Sequence, residues 1–385
     1  VSMGYEEAFP AELREYYRKL FGSEAEEIMA SLRTPVEKYY IRVNTLKTSR
    51  SELMRRLRRE GLKPKRSPYL EEGIYFEREG PNFDDDYDPG LKKVVANKFA
   101  SESVYQGAML YAPGVLKADK GIKPGDEVEI RDPRGLLVGI GIARMSGKEM
   151  ITATRGLAVE VTLPKFKLPS LSELESFKEG LFYAQSLPSM VASRVLEPSE
   201  EDLIIDMAAA PGGKTSHIAQ LMQNRGEIIA IDKSRNRLRK MEEELKRLGV
   251  KNVRLIHMDA RKLPELGIEA DKILLDAPCT ALGIRPKLWE TRTPKDIEAT
   301  ARYQRAFIWA AIKSLRKGGT LVYSTCTISY EENEANVKYM LQKGLKLEEQ
   351  SVFIASHGID MEGVQRFYPN RHLTQGFFIA KLRKV

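Results

Sequence analysis

Cysteine is nearly absent, with two in 385 residues. So low a count excludes the disulfide framework of an extracellular scaffold and fits a reducing interior, so a cytosolic protein is expected. Long hydrophobic runs are missing too: none approaches the roughly 18 apolar residues a membrane span needs. The first residues, Val1 to Glu7, do not join a basic segment to an apolar one, so neither export nor membrane anchoring is expected. Internal repeats and low-complexity tracts are also lacking. Negative charge is the minority: 62 Lys and Arg against 54 Asp and Glu leave a net +8. A basic balance favours a polyanionic partner, because cations that neutralise phosphates release counterions. Many of the bases lie near Glu, however, so solvated, ion-paired helix faces account for part of the charge.

A chain of this length exceeds one compact core and is expected to form two or three domains. Residues 1–92 read as a small α+β region. A charged helical stretch, Glu12 to Leu32, precedes a strand-like Tyr39 to Asn44, and Ser49 is placed to cap a helix over Ser51 to Glu60 that Gly61 ends. The acid run Asp84-Asp85-Asp86, set between Asn82 and Pro89-Gly90, imitates a metal site but reads as a solvated loop, and no metal is expected.

Over residues 93–165 the pattern changes to short β segments punctuated by glycine, at Asp126 to Ile130, Leu137 to Ile142, Met150 to Thr154 and Leu157 to Val161. That spacing predicts a small barrel. Gln106 to Val115, Pro124-Gly125-Asp126-Glu127-Val128 and Val138-Gly139-Ile140-Gly141 resemble a PUA domain, the RNA-binding barrel of many RNA-modification proteins. A barrel that merely packs against its neighbours is the plainer alternative.

From 166 to 385, helical and strand-like segments alternate, which predicts βαβ units and a mostly parallel, doubly wound sheet. Strands are expected at 203–207, 227–232, 253–257, 272–276, 320–324 and 376–381. The first runs into Ala208-Ala209-Ala210-Pro211-Gly212-Gly213-Lys214-Thr215, a tight glycine turn opening a helix. Each cysteine sits just past a strand: Cys279 after Asp276-Ala277-Pro278, and Cys326 after Ser324-Thr325. Strand ends in such sheets face the ligand crevice, so turn and thiols should share one site.

The glycine turn also fits a loose phosphate loop, with Asp276 in the place of a magnesium-positioning acid. Asp232 argues against an NTPase. It lies about 20 residues past the turn at the end of the next strand, where an acid accepts hydrogen bonds from ribose hydroxyls. Asp259, at the end of the strand after that, suits an adenine amino group. A single Asp after a strand is commonly a helix cap, but Asp206, Asp232, Asp259 and Asp276 fall in register.

The blocks Asp206 to Thr215, Asp276-Ala277-Pro278-Cys279 and Ser324-Thr325-Cys326-Thr327 resemble the signatures of the NOL1/NOP2/Sun family of RNA cytosine-5 methyltransferases. Gly180 to Ser186, Arg366-Phe367-Tyr368-Pro369 and Thr374 to Ala380 support the likeness. Ala208 and Gln375 depart from it where the family commonly has Cys and often has Asp. The resemblance implies a Rossmann-like domain that uses S-adenosyl-L-methionine, held by residues 208–214 with Asp232, Asp259 and Asp276. It also implies Cys326 as the thiolate that adds to cytosine carbon 6 and Cys279 as the group that helps remove the carbon 5 proton and release the adduct. Asp276 is expected to stabilise charge at ring nitrogen 3, and Lys214 to orient the base or lower a thiol pKa.

The base must leave its stack, and Tyr183, Trp289, Phe367 and Tyr368 are candidates to receive it, although aromatics at such positions are more often core. Basic residues in Arg55 to Arg66, Lys233 to Lys240 and Arg285 to Lys287 are candidates to track the RNA backbone. A PUA module inserted before the catalytic domain resembles the tRNA branch of the family, which implies cytosine 72 of the acceptor stem as target and the barrel on the CCA end. An rRNA enzyme and a catalytically silent RNA-binding or ribosome-assembly protein are the alternatives. The retained cysteine pair weighs against the silent binder.

Overall fold

The fold was obtained as a computed structural model, which describes residues 8–385. The opening segment read above for a leader lies outside the described residues. Within them the strands form three separate sheets.

The N-terminal sheet contains β1 (Lys38–Val43), β2 (Lys65–Arg66) and β3 (Gly73–Glu77). The helical stretch foreseen over Glu12 to Leu32 is two helices, Ala11–Phe21 and Ala25–Leu32, because Gly22 at φ +58° turns the chain between them. They bury Leu13, Tyr17, Ile28, Met29 and Leu32 against Leu282, Ile297, Ile328 and Tyr368 of the C-terminal part. The helix after β1 runs Arg50–Arg59, with the Ser49 hydroxyl accepting from the Glu52 amide at 3.2 Å. Capping of this kind contributes about 1 kcal/mol. The helix packs Leu53, Met54 and Leu57 onto Ile41, Val43, Ile74 and Phe76.

A six-stranded sheet follows: β4 (Lys92–Ala96), β5 (Leu110–Tyr111), β6 (Val115–Ala118), β7 (Glu127–Arg131), β8 (Leu137–Ala143) and β9 (Leu157–Pro164), in the order β5-β9-β8-β7-β4-β6. It has a core of its own that includes Val94, Val128, Ile130, Val138 and Val159. Gly141 serves the close crossing of β8 and β9, since a Cβ there would lie 2.3 Å from the Glu160 carbonyl oxygen. The strand expected at Met150 to Thr154 is instead a helix, Gly147–Thr152. A capping box between Ser146 and Glu149 starts it, and burial of Met150 outweighs the β-branched residues that follow.

The strand β10 (Phe182–Ala184) pairs antiparallel with β1. A segment read from sequence as part of the C-terminal domain thus completes the N-terminal sheet. The largest sheet holds β11 (Leu203–Asp206), β12 (Glu227–Asp232), β13 (Val253–His257), β14 (Ala270–Asp276), β15 (Leu315–Thr325), β16 (Leu345–Leu347), β17 (Ser356–Gly358), β18 (Met361–Phe367) and β19 (Phe377–Lys384). Its order is β13-β12-β11-β14-β15-β19-β18-β17, with β16 also on β19, and β11 to β15 are mutually parallel. The apolar runs reflect burial on both faces. Ile205, Ile229, Ile231, Ile273 and Leu275 enter one core, whereas Ile204, Ile228, Leu274 and Val322 enter the other. After β13 the chain returns to the far side of β11, so the sheet reverses direction between β11 and β14. Carboxyl ends at such a reversal open a ligand crevice. Among the described residues no helix is long and apolar enough to cross a membrane.

Candidate active site

A crevice of about 410 Å³ opens at that reversal. The turn after β11 lines it with Ala208, Ala209, Ala210, Pro211, Gly213 and Lys214, and Asp206, Asp276, Cys326, Tyr183 and Phe377 complete much of the wall. Gly212, at φ +103°, supplies the left-handed bend that starts the helix Gly213–Leu221. Gly213 has to be small, because a Cβ there would stand 2.9 Å from the Tyr183 ring.

The turn is fastened from the N-terminal sheet. Arg42, buried in β1, donates to the Gly213 carbonyl at 2.6 Å, to the Ser216 hydroxyl at 2.8 Å and to the Gln185 side-chain oxygen. Burial lowers its pKa to about 9. Neither Arg42 nor Gln185 was singled out from sequence. The available sign was a lone charge between Ile41 and Val43 in a strand-like run.

At the strand ends, Lys214 Nζ lies 2.7 Å from Asp276 Oδ2, and the Ser324 hydroxyl donates to Asp276 Oδ1 at 2.6 Å. Burial opposes the Lys214 charge, yet Asp276 beside it holds its pKa above the ordinary value. The Sγ atoms of Cys279 and Cys326 are 3.3 Å apart, and both residues are free cysteines. The pair is unequal. Cys326 is drawn below the usual thiol value, first by the hydrogen bond from Cys279 and further by Lys214, against burial and Asp276. Cys279 is driven well above it by the neighbouring Cys326 sulfur, burial and Glu332.

Asp206 is buried at the base of the crevice. Its Oδ2 accepts from the Thr215 hydroxyl at 2.7 Å, while Oδ1 has no partner. Burial pushes its pKa up to about 6. A partnerless buried carboxylate oxygen beside a glycine turn is the complement of a cofactor ammonium, and on this observation the residues present fit S-adenosylmethionine. The sequence counted Asp206 among four acids in register without giving it a separate task.

Other expected residues sit further out. Asp232 ends β12 beneath the turn, accepting from the Ala210 amide at 3.3 Å and facing Arg237 at 3.4 Å. Asp259 is half-buried in a separate depression with Arg261, Lys262, Ala306 and Trp309. A hydrogen bond from Arg261 holds its carboxyl below the usual range. Gln375, the departure in the last block, lines the crevice and donates to the Ser186 hydroxyl at 2.9 Å.

Several readings are corrected. Phe367 and Tyr368 are buried core residues. Trp289 packs on the core of the six-stranded sheet beneath Lys98 and Arg134. Of the four candidate aromatics, Tyr183 alone lines the crevice. Arg285 is buried, donating to the Thr34, Pro369 and Thr374 carbonyls and to Glu37, and Lys287 is buried against Glu290 at 3.0 Å. Neither side chain extends into solvent, although Arg285 also lines the crevice. Proline and apolar neighbours on both sides of these two bases marked a packed loop.

Sheet, turn and thiol pair together define an α/β enzyme of the doubly wound class with its reactive groups at the switch point. The family model described as 16S rRNA methyltransferase RsmB/F matches residues 193–383, a PUA domain matches 92–163, and the RsmF/B-like ferredoxin-like domain matches 9–82. The tRNA (cytosine(72)-C(5))-methyltransferase of Pyrococcus horikoshii is 78% identical over 100% of this chain and 99% of its own length. The mouse tRNA (cytosine(72)-C(5))-methyltransferase NSUN6 is 30% identical over 95% of this chain and 85% of its own. The crystal structure of NSun6 from Pyrococcus horikoshii with SFG, an analogue of S-adenosylmethionine, matches with a TM-score of 0.95 at 78% identity, covering 98% of this chain and 99% of that one. The chain belongs to the family of S-adenosylmethionine-dependent RNA cytosine-5 methyltransferases, in the branch that carries a PUA domain.

Proposed function

We propose that this chain methylates carbon 5 of cytosine 72 in the acceptor stem of tRNA, with Cys326 as the covalent nucleophile. The observation that carries the chemistry is the unequal thiol pair, 3.3 Å apart at the ends of neighbouring strands. The substrate rests on the 78% identical Pyrococcus relative and on the inserted PUA domain.

S-adenosylmethionine supplies an electrophilic methyl group on its sulfonium. The residues that would hold it are the turn 208–214, Asp206 toward its ammonium, and Asp232 and Asp259 toward ribose and adenine. The Cys326 thiolate adds to carbon 6, and electron density moves through carbon 5 onto the ring, where Asp276 stabilises the proton at nitrogen 3. Lys214, 2.7 Å from its Oδ2, holds Asp276 in place. Carbon 5 of this adduct would attack the methyl group that S-adenosylmethionine offers, the sulfonium leaving as a neutral thioether, so that carbon 5 carries the new methyl group and a surplus proton. Cys279 assists removal of that proton, whose bonding pair reforms the ring double bond as the bond from carbon 6 to Cys326 breaks and returns the thiolate. Tyr183 and Phe377 offer apolar faces to the extruded base. Exposed Arg58, Arg59, Lys63 and Arg66 on one side, and Lys233, Arg235, Arg239 and Lys240 on the other, track the backbone. A tRNA substrate, with no membrane-crossing helix among the described residues, supports a cytoplasmic location.

The rRNA reading is favoured by one observation, the description of the family matched over 193–383. Methyl transfer from labelled S-adenosylmethionine to unmodified tRNA and rRNA transcripts separates the two. Label is expected as 5-methylcytosine at position 72 of tRNA and absent when cytosine 72 is replaced. Label on rRNA alone overturns the assignment.

A further inference from the structure

We propose that Glu332 is a positioning residue for the methyl transfer: its buried carboxylate ties the loop after Cys279 to the loop after Cys326, and its charge keeps Cys279 protonated so that Cys326 alone is the thiolate. The inference rests on the proposed thiol chemistry and adds to it the group that makes two nearly equivalent cysteines unequal.

Glu332 has no solvent exposure. Its Oε1 accepts from the Thr280 amide at 2.8 Å and from the Gln304 side-chain amide at 3.1 Å, and its Oε2 accepts from the Thr280 hydroxyl at 2.6 Å and the Ser329 hydroxyl at 2.7 Å. Thr280 directly follows Cys279. The same Gln304 amide donates to the Pro278 carbonyl at 2.9 Å, so both neighbours of Cys279 are held. From the other loop, Thr327, which directly follows Cys326, meets Thr280 hydroxyl to hydroxyl at 2.9 Å.

Four donors converge on one carboxylate, and among the described residues no Lys or Arg forms an ion pair with it. Oε1 receives two N–H groups, which leaves no room for a carboxyl proton there, and although burial raises the Glu332 pKa, the hydrogen bonds from Ser329 and Thr280 oppose that rise and favour the anion. An anion satisfied by neutral donors keeps its field, and the Cys279 thiol is pushed up partly by it, after the Cys326 sulfur and burial. The other ionisable groups around the pair act differently. Lys214 and Asp276 lie on the Cys326 side, and the buried Tyr323 hydroxyl, which donates to the Glu332 carbonyl at 2.6 Å, stays neutral because burial drives its pKa far up. Glu332 is thus the fixed charge on the Cys279 side. Burying a carboxylate without a cation is costly unless it is fully hydrogen-bonded, and a neutral Gln would satisfy much of the same geometry. The retained charge therefore has a use beyond holding two loops together.

The test measures alkylation of the protein without RNA, so its outcome is separate from whether tRNA is the substrate. Wild type and Glu332→Gln are treated with limiting iodoacetamide at pH 8, and the modified peptides of Cys279 and Cys326 are quantified by mass spectrometry. Wild type should label Cys326 at least about tenfold over Cys279, a ratio corresponding to one pKa unit. In Glu332→Gln the preference should fall by about tenfold, with kcat for methyl transfer reduced and KM for RNA unchanged. An unchanged labelling ratio in a variant with wild-type melting overturns the proposal. If Glu332→Gln does not fold, Thr280→Val, which removes the hydroxyl link between the loops and keeps the charge, should lower the ratio by at least about threefold through loss of the fixed sulfur contact; no change overturns it equally.

Discussion

Replacing Asp206 with Asn separates the cofactor reading of the crevice from a purely structural one. Burial pushes the carboxyl pKa up to about 6 from an ordinary 3.8. At neutral pH the ionised, ligand-free protein therefore carries a cost of about 3 kcal/mol at this residue. The sign follows from proton binding. Between about pH 4 and 6 the folded state holds this proton more tightly than the unfolded chain does, so stability from Asp206 is present below 4, is lost as pH rises to 6, and stays lost above. Asn cannot ionise, but its amide inherits the partnerless position of Oδ1, which costs about 1–3 kcal/mol at every pH. Asp206→Asn should thus be less stable than wild type at pH 4 and equal or more stable at pH 8. The difference between the two comparisons is about 3 kcal/mol, or about 6 °C or more in melting temperature for a domain of this size.

Scanning fluorimetry of both proteins at the two pH values reads that crossing, and calorimetric titration with S-adenosylmethionine reads the other half. The variant should lose about 10- to 100-fold in affinity, the worth of one hydrogen bond to a charged group. Wild-type affinity should fall as pH drops through 6, while the affinity of the variant stays flat. A melting difference that is the same at pH 4 and pH 8, or an unchanged affinity, would refute the assignment of Asp206 to the cofactor ammonium. The acid would then be a poorly satisfied core residue, retained for reasons this geometry does not show.

Cys326→Ala should abolish methyl transfer, whereas Cys279→Ala should accumulate a protein–RNA adduct visible as a shifted band on a denaturing gel; trapping with Cys326→Ala instead would reverse the two roles. Deleting 93–165 and rejoining the flanks, which run side by side through the Glu79 amide and Lys167 carbonyl at 3.0 Å, should weaken tRNA binding in a filter assay and leave S-adenosylmethionine affinity intact. Unchanged tRNA affinity would make the barrel structural only. His217, whose Nε2 lies 2.8 Å from Glu72, has its pKa lowered to about 4 by burial. The unfolded chain takes that proton first, so wild-type stability should fall as pH drops from about 6.5 to 4, and His217→Gln should flatten the slope measured by urea titration.

The central sheet was legible because parallel strands buried on both faces are written as unbroken apolar runs. Ile228, Ile229 and Ile231, like Ile273 to Leu275, divide between two cores, and each run ends in an acid at the carboxyl end of its strand. The antiparallel edge beyond β19 was not legible. β16 and β17 are three-residue strands with exposed Lys346 and His357 at their centres, and β18 carries Gln365 and Arg366, whose burial depends on partners elsewhere in the chain. Arg366 is fully buried because Glu334 and the Ile328 carbonyl receive its guanidinium. Arg285 and Lys287 misled in the opposite direction. A basic residue in a loop reads as surface until Glu37 and Glu290 are seen to neutralise it. In the site, the residues that react were visible by their position after strands. Those that hold them, Arg42, Gln185 and Glu332, were not, since their partners lie on other elements.

That division bears on where the catalytic unit begins. The glycine turn is intrinsic to β11 and its helix, but its Gly213 carbonyl is fixed by Arg42 from β1, and Arg42 is held by Gln185 just past β10, a strand that pairs with β1. Asn44 donates to the Gly180 and Leu248 carbonyls at 2.8 and 2.7 Å, joining the same sheet to the helix after β12. The buried Glu72 takes His217 and Arg194 from two further helices of the C-terminal part. Removing the N-terminal sheet would leave Ser216 and the Gly213 carbonyl with only the 3.1 Å bond between them, and His217 without its carboxylate, all beneath the turn that shapes the crevice. Each lost partner of a buried polar group costs about 1–3 kcal/mol, so the losses together are a large fraction of the stability of an ordinary domain. The N-terminal sheet is therefore part of the cofactor site in energetic terms, whereas the six-stranded sheet, with its own core, is the module that chain architecture allows to be exchanged.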